Sequence, residues 1–148
     1  MTIDAKNHAN SEFRMDFNLT DEQQFLQETI RKFMARECPR EMAHAQDEAG
    51  EFPAALLAKV AAMGFCALTV PEAFGGGGPN ALGAALVVEE IATLSPVLAG
   101  AVAAANFFGG QVIAALGSDA QREAFLPPIA AGERLLVPAL AEPDTPPD

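Results

Sequence analysis

Two adjacent acidic residues, Glu89 and Glu90, offer the clearest chance of acid–base chemistry in this sequence. They stand in an otherwise apolar stretch that is predicted to be helical, where a partly buried carboxylate would have a raised pKa and would suit a general base. Neighbouring positions on a helix point about 100° apart, so the two carboxylates cannot both face one site. The alternative is that one or both face solvent or pair with an arginine, and we favour it.

A run of four glycines, Gly75 to Gly78, is a second candidate site. Glycine-rich loops bind phosphates through their backbone amides when the loop opens a helix after a strand. This run is followed by Pro79 and contains neither a GxGxxG spacing nor a following Gly-Lys-Ser/Thr. A structural turn that brings two helices together is therefore the favoured interpretation, with a phosphate cradle as the alternative.

The cysteines and histidines are too few and too far apart to form a recognisable site. The two cysteines, Cys38 and Cys66, allow at most one disulfide, and His8 and His44 lie near no Cys/His spacing typical of zinc. No nucleophile and base stand together in a known catalytic motif. The N-terminus lacks the apolar segment of a secretory signal. We therefore expect a cytoplasmic chain with two free thiols and no bound metal.

The composition predicts a single domain that does not bind nucleic acid. The chain has 148 residues, of which 50% are hydrophobic and 20% are charged, and this is enough apolar surface for one buried core. Its formal net charge is −11, which repels the phosphate backbone of nucleic acids and anionic lipid alike.

Two capping boxes mark the starts of helices that must position any site. Thr20 is followed by Gln23, and Ser118 by Gln121, the pattern in which two side chains satisfy unpaired amides reciprocally. Apolar residues then recur at helical spacing. The pattern predicts an all-α fold, a bundle-like domain of five to six helices. The residues predicted to face its core are Leu26, Ile30, Phe33, Met34, Leu56, Leu57, Val60, Met63, Phe125 and Ile129.

Two segments are predicted to be non-helical. The first is residues 65–80, in which Ala67–Val70 predicts an extended segment and the glycine run predicts a turn. The second is Leu135–Leu140, which predicts a short strand-like tail. The predicted helices therefore lie before the first segment and between the two.

The stretch Ile91–Ser118 contains no charged residue and is long enough to cross a bilayer. It is rich in alanine and glycine, it carries Asn106 and Gln111, and no cluster of lysine or arginine flanks it to set a topology. We therefore predict no membrane span. A helix from Pro96 to about Leu116, wrapped on all sides by protein, explains the composition better, because its small residues let neighbouring helices approach closely.

Six fragments of this sequence follow one another in an order and spacing that is typical of a known family. They are Leu19–Gln23 (LTDEQ), Gly64–Gly76 (GFCALTVPEAFGG), Val88–Ala92 (VEEIA), Leu116–Gln121 (LGSDAQ), Phe125–Glu133 (FLPPIAAGE) and Ala139–Pro143 (ALAEP). Together they resemble the N-terminal part of a flavin-dependent acyl-CoA dehydrogenase.

The resemblance implies an N-terminal all-helical domain over residues 15–133, after a flexible leader at residues 1–14. Residues 134–148 would begin the family's β-barrel-like middle domain, in an extended or disordered form, and a C-terminal four-helix domain follows in the family. The carboxylate that removes the α-proton of the acyl thioester, while the flavin takes the β-hydride, lies in that C-terminal part. The resemblance therefore implies no catalytic residue in this chain, and we expect the chain alone to be inactive.

The resemblance implies FAD as the cofactor and places the flavin motif at residues 140–148. The family has Thr-Glu-Pro and Gly-Ser-Asp there, which assigns Leu140 and Ala141 as cofactor-binding positions. Ala141 has no hydroxyl, and Pro146 and Pro147 stand where the family has glycine and serine, which removes two amide donors and a hydroxyl. We therefore expect this chain alone to bind no flavin. The alternative function is a non-catalytic partner subunit or helical interaction module that has lost flavin binding.

The resemblance also implies a role for the long uncharged helix, because in the family this helix lines the end of the pocket for the acyl chain. Matching back from Gly109 assigns Ala104 and Phe108 to that wall, with plain core packing as the alternative. Phe108 would then shorten the pocket or shape it for a bulky acyl group. Acyl-CoA is the implied ligand of the complete enzyme, and we expect a homo-oligomer or a partner subunit to cover the apolar surface around this helix.

Overall fold

Capped amphipathic segments fold into six helices in the computed structural model, which describes residues 18–139 and contains no strand within them. The fifth helix has a π-helical centre, Ala104–Gly110, and a short 3₁₀ helix, Glu72–Phe74, lies in the longest loop. The predicted all-α fold is confirmed. The helices are α1 (Asp21–Glu37), α2 (Arg40–Ala49), α3 (Ala54–Ala62), α4 (Ala81–Ala92), α5 (Pro96–Leu116) and α6 (Asp119–Ala130).

Local sequence signals set the starts of α1 and α6. The hydroxyl of Thr20 accepts a hydrogen bond from the amide of Gln23, whose side chain accepts one from the amide of Thr20. Ser118 and Gln121 repeat this arrangement at the start of α6. Because each box satisfies two otherwise unpaired amides, it stabilises its helix by about 1 kcal/mol. Both predicted capping boxes are confirmed.

The centre of the fold is built from α1, α4 and α5. Helix α4 packs along both of the others, α3 contacts the first part of α5, and α6 contributes Ile129 to the same apolar cluster. The predicted core is buried or partly buried except at Met63. That side chain is 39% exposed because α3 ends at Ala62 and Met63 is only its C-cap. Fully buried residues of the cluster include Ile30, Val60, Val87, Ile91, Leu98 and Val102.

The loop between α3 and α4 consists of turns, so the extended segment predicted at Ala67–Val70 is wrong. The amide of Ala67 bonds to the carbonyl of Gly64, and the amide of Val70 bonds to the carbonyl of Ala67, which closes two successive turns. Ala67 and Val70 are buried with Leu126 and Ala130 of α6 in a second, smaller apolar cluster. Packing against α6 therefore overrides the local preference of this run for an extended conformation.

Helix α5 is long and apolar enough to cross a membrane by length and composition. Half of its most apolar 18-residue window is buried inside the fold, and Asn106 at its centre is fully buried. These observations support a helix of the protein core. The prediction that protein covers it on all sides is wrong, because Phe108, Val112 and Leu116 are exposed.

The segment after α6 runs back over the core without regular secondary structure. Residues 134–139 are neither helix nor strand. Leu135 and Leu136 pack against the main apolar cluster, whereas Val137 is exposed. The predicted leader at residues 1–14 and the positions from Leu140 onward lie outside the described residues.

Candidate functional site

Glu90 forms an ion pair rather than an acid–base site. Its side chain is 8% exposed, and Arg31 Nη2 lies 2.5 Å from Glu90 Oε1 while Arg31 Nε lies 3.0 Å from Glu90 Oε2. This hydrogen bond and the charge of the carboxylate raise the pKa of Arg31 above its ordinary value. Glu89 is exposed. The favoured interpretation is confirmed, because one carboxylate pairs with an arginine and the other faces solvent.

The glycine run is a closed structural turn. The amides of Gly77 and Gly78 donate to the carbonyls of Ala67 and Val70, at 2.9 and 3.0 Å, and the amides of the other two glycines bond within the same loop. A Cβ atom at Gly76 would overlap the carbonyl of Val70, so this close approach needs glycine. Because the amides are already paired, they do not form a phosphate cradle. The structural interpretation of this run is confirmed.

The two thiols are buried and are not activated. Cys38 and Cys66 are both free and both 0% exposed. Burial raises the pKa of Cys66 to about 11 and also raises the pKa of Cys38, so neither forms the thiolate that acts as a nucleophile at neutral pH. In the described part of the chain, no three His, Cys, Asp or Glu side chains are grouped to hold a metal ion.

An uncharged apolar stripe runs along the outside of α5. Phe108 and Val112 are each 45% exposed, and Leu116 is 82% exposed. The three residues are spaced four apart, so they lie on one side of the helix. We call these three residues the outer apolar face. It can contact an apolar chain or another protein, but it carries no group that transfers a proton.

The outer apolar face begins in the π-helical part of α5. There the amide of Gln111 donates to the carbonyl of Asn106, five residues earlier. The side chain of Asn106 is fully buried and donates to the carbonyls of Phe65 and Val102, at 2.8 and 3.0 Å. Since π-helical turns are rare and frequently lie at functional sites, this segment is the strongest structural candidate for function.

The two residues predicted for the acyl-pocket wall both lie in this π-helical part. Ala104 is only 8% exposed, whereas Phe108 presents nearly half of its side chain to solvent. Phe108 therefore offers surface to a ligand, and Ala104 offers little. Their assignment to an acyl pocket stays a prediction. The positions predicted to bind flavin, Leu140 and Ala141, lie outside the described residues.

Sequence reasoning identified Phe108 but missed the two residues that extend it into a face. Val112 and Leu116 follow Phe108 at four-residue spacing in a charge-free stretch, and that spacing was the available signal. The sequence marks Asn106 only as a polar residue that argues against a membrane span. No sequence pattern predicts the hydrogen bond from its side chain to the carbonyl of Phe65, 41 positions earlier in the chain.

Two grooves lie elsewhere on the surface. One has a volume of about 580 Å³, runs between α1 and the loop after α3, and is lined in part by Phe25 and Met63. The other has a volume of about 400 Å³, lies between α2 and the α4–α5 turn, and is lined in part by His44 and Phe52. Neither groove includes the outer apolar face.

The fold and the motifs agree with a known family over most of the described chain. Residues 20–133 match the family model for the acyl-CoA dehydrogenase N-terminal domain. The chain belongs to this family. The resemblance inferred from the six sequence fragments is therefore confirmed.

Several proteins are similar to this acyl-CoA dehydrogenase domain in sequence and in fold. Benzylmalonyl-CoA dehydrogenase of Aromatoleum aromaticum is 36% identical over 130 residues, which are 88% of this chain and 34% of that enzyme. The solved complex of glutaryl-coenzyme A dehydrogenase with glutaryl-CoA has a TM-score of 0.81 at 31% identity, over 89% of this chain and 34% of that one. Acyl-CoA dehydrogenase from Bacillus anthracis, solved with FAD, has a TM-score of 0.75 at 27% identity, over 87% and 22% of the two chains. This chain spans about a third of the length of the curated relatives it matches.

Two solved relatives of this acyl-CoA dehydrogenase domain hold glutaryl-CoA and FAD. The described residues can be compared with the chemical needs of each ligand. Three exposed apolar side chains in a charge-free stretch suit the methylene part of an acyl chain, which needs desolvation and no hydrogen-bond partner. The flavin carries polar groups that need donors and acceptors, and the positions predicted to supply them, Leu140 and Ala141, lie outside the described residues. The outer apolar face therefore offers apolar contact to a ligand, and the described residues do not test the predicted flavin-binding positions.

Proposed function

We propose that this chain is the N-terminal domain of an FAD-dependent oxidoreductase that dehydrogenates acyl-CoA thioesters between the α and β carbons. Its outer apolar face covers the acyl chain in this proposal. FAD, when bound, supplies the acceptor for the hydride. The domain supplies binding and not chemistry, because the buried carboxylate of α4, Glu90, is already held by Arg31.

The observation that carries this proposal is the exposure of Phe108, Val112 and Leu116 on a helix whose other side belongs to the core. Apolar surface in contact with water is unfavourable by about 25 cal/mol per Å². An acyl chain that covers the face removes water from both surfaces, so binding is favourable without any charged contact. The similarity in fold to an enzyme solved with glutaryl-CoA supports acyl-CoA as the ligand of the complete enzyme.

Phe108 limits the acyl group in this proposal. It is the largest side chain of the outer apolar face, and the π-helical turn fixes its backbone. A phenyl ring occupies space that a smaller side chain would leave for additional methylene groups. We therefore expect a pocket for short or compact acyl groups, which a smaller residue at position 108 would lengthen.

A domain exchange with benzylmalonyl-CoA dehydrogenase tests the proposal. Residues 20–133 of this chain replace the matching residues of the relative, which supplies everything outside the domain. We expect a chimera that holds FAD and oxidises acyl-CoA with an artificial electron acceptor. Phe108→Ala should lower KM for longer acyl chains relative to short ones.

The control for this exchange is Phe25→Ala. Phe25 is 72% exposed on α1 and lines a groove away from the outer apolar face, so its removal should leave the chain-length profile unchanged. If the chimera is active and neither Phe108→Ala nor Val112→Ala changes the dependence of KM on acyl-chain length, a role of this face in acyl binding would be contradicted.

A second candidate function is a partner subunit that has lost flavin binding. The observation that favours it is the sequence at the flavin motif, where Ala141, Pro146 and Pro147 replace Thr, Gly and Ser of the family pattern. A second chimera that carries residues 20–148 separates the two functions. Loss of FAD from this chimera, but not from the one with residues 20–133, would favour the partner subunit. Retention of FAD in both would favour the oxidoreductase.

A further inference from the structure

The buried side of α5 repeats every fourth residue, which a uniform α-helix does not support. Leu98, Val102, Asn106 and Gly110 are all buried, and Ala114 is partly buried. In an α-helix, residues four apart drift by about 40° around the axis at each step, so the first and last of these would lie about 160° apart. A π-helical turn contains more residues than an α-helical turn, so each residue rotates less about the axis, and this offsets the 40° drift of residues four apart. The π-helical centre thus keeps both ends of α5 in phase.

Asn106 connects this turn to the rest of the fold through both its side chain and its backbone. Its side-chain amide donates to the carbonyls of Val102 and Phe65. Its carbonyl oxygen accepts from the amide of Gln111, which is the π-type bond, and also from the hydroxyl of Thr69 at 2.7 Å. A carbonyl oxygen has two lone pairs and can accept both bonds.

Packing alone does not explain asparagine at this position. Asn106 is 0% exposed, and its Oδ1 atom is buried without a hydrogen-bond partner. An unsatisfied buried oxygen is unfavourable, so an apolar residue of similar size would serve a purely structural role better. The two bonds donated by its side-chain amide are therefore what asparagine contributes, because any residue at this position would supply the backbone carbonyl.

We propose that Asn106 and Thr69 are positioning residues, whose buried hydrogen bonds hold the π-helical turn and thereby keep Phe108, Val112 and Leu116 on one exposed face. Gly110 completes the arrangement, because a Cβ atom there would lie 3.1 Å from the Thr69 hydroxyl. A role of this turn in acyl-CoA binding rests on the proposed function. The positioning of the outer apolar face by these hydrogen bonds does not depend on that function.

A change from π to α geometry would rotate the end of α5 by about one residue, or about 100°, relative to its start. Position 112 would then turn toward the core and position 111 toward solvent. Val112 is exposed and Gln111 is partly buried, so single cysteines at these two positions report the geometry. Thiol labelling follows exposure, and the two buried native cysteines give a slow background that the unmodified chain measures.

The test is the ratio of labelling rates of Val112→Cys and Gln111→Cys in the full chain. The ratio should exceed one in the parent and should fall below one when Asn106→Leu is added. Thr69→Val should shift it in the same direction by a smaller factor. Leu98→Ala is the matched control, because it removes packing from the same helix but none of these bonds. It should lower the free energy of unfolding and leave the ratio unchanged.

An unchanged ratio in a folded Asn106→Leu chain would overturn the proposal, and so would an equal shift in Leu98→Ala. If Asn106→Leu does not fold, Thr69→Val decides the question by the same ratio. Because labelling uses no acyl-CoA, its outcome is independent of the chimera assay. A shifted ratio together with an unaffected acyl profile would keep the positioning role and refute the acyl role.

Discussion

The guanidinium group of Arg31 on α1 holds both carboxylate oxygens of Glu90 on α4, a residue 59 positions later in the chain. The arginine side chain is 58% exposed, whereas that of the glutamate is 8% exposed. Because α1 packs along α4, this pair joins two helices at the centre of the fold. Removing Glu90 leaves an arginine that water can solvate, whereas removing Arg31 leaves a buried carboxylate that water cannot reach.

We expect Arg31→Met to lower the free energy of unfolding more than Glu90→Gln does at neutral pH. The first change leaves a buried carboxylate without a partner, whereas the second leaves a neutral amide beside an exposed cation. Urea unfolding measures both losses. Lys32→Met is the control, because it breaks the exposed pair with Glu28 on the same helix and should have little effect. Equal losses in all three variants would contradict this account.

Two glycines of α5 should respond in opposite directions to the same substitution. A Cβ atom at Gly100 meets nothing within 4 Å, whereas at Gly110 it would lie 3.0 Å from the carbonyl of Ala105 and from Val70 Cγ2. Gly100→Ala should raise the free energy of unfolding by about 0.5–1 kcal/mol through helix propensity. Gly110→Ala should lower it by about 1–3 kcal/mol through overpacking. Urea midpoints that move in the same direction would contradict the close approach at Gly110.

The helices were predictable from sequence because their signals are local. A capping box such as Thr20 with Gln23 needs only neighbouring residues, and the apolar spacing of α1 specifies its buried side without knowledge of its partner. The loop at Ala67–Val70 was mispredicted because its conformation depends on α6, which lies about fifty residues later. Contacts at that sequence distance override short-range propensity.

The candidate site was predictable only in part, for the same reason. Phe108 could be identified from the family resemblance, but its exposure depends on what packs around α5. The π-helical turn depends on hydrogen bonds from Asn106 to Phe65 and from Thr69 to Asn106, which join residues 41 and 37 positions apart. The spacing of residues in the sequence does not predict hydrogen bonds between residues this far apart.

Burial of the Cys66 thiol should make the protein less stable in alkaline solution. Its pKa is about 11 in the folded chain and about 8.5 in an unfolded one. Between these pH values the unfolded state releases a proton that the folded state retains, so unfolding becomes more favourable as pH rises. The loss should be on the order of 3 kcal/mol by the upper pH. Cys66→Ala lacks this component, so parallel stability curves for the two chains would refute the prediction.

The chain purified alone should be colourless. Ala141 lacks the hydroxyl of the family motif, and Pro146 and Pro147 lack amide donors. Absorbance at about 450 nm, where oxidised flavins absorb, measures bound flavin directly. The chimera that carries residues 20–133 is the positive control. A stoichiometric yellow chromophore in the purified chain would show that these three departures are tolerated.

The purified chain should self-associate through the outer apolar face. Phe108, Val112 and Leu116 expose apolar surface on one side of α5, and such surface tends to become an interface. The net charge of −11 opposes association only weakly, because the Debye length is about 8 Å at physiological salt. We therefore expect a dimer or larger assembly in sedimentation experiments.

Phe108→Asp should shift this assembly toward monomer, because a buried contact would then desolvate a carboxylate. Phe25→Asp adds the same charge at a phenylalanine that is 72% exposed on α1, so it should leave the assembly intact. The comparison separates a specific interface from general repulsion, since both variants change the net charge equally. If the parent chain sediments as a single monomeric species at high concentration and binds no hydrophobic dye, the face is not an interface between copies of this chain.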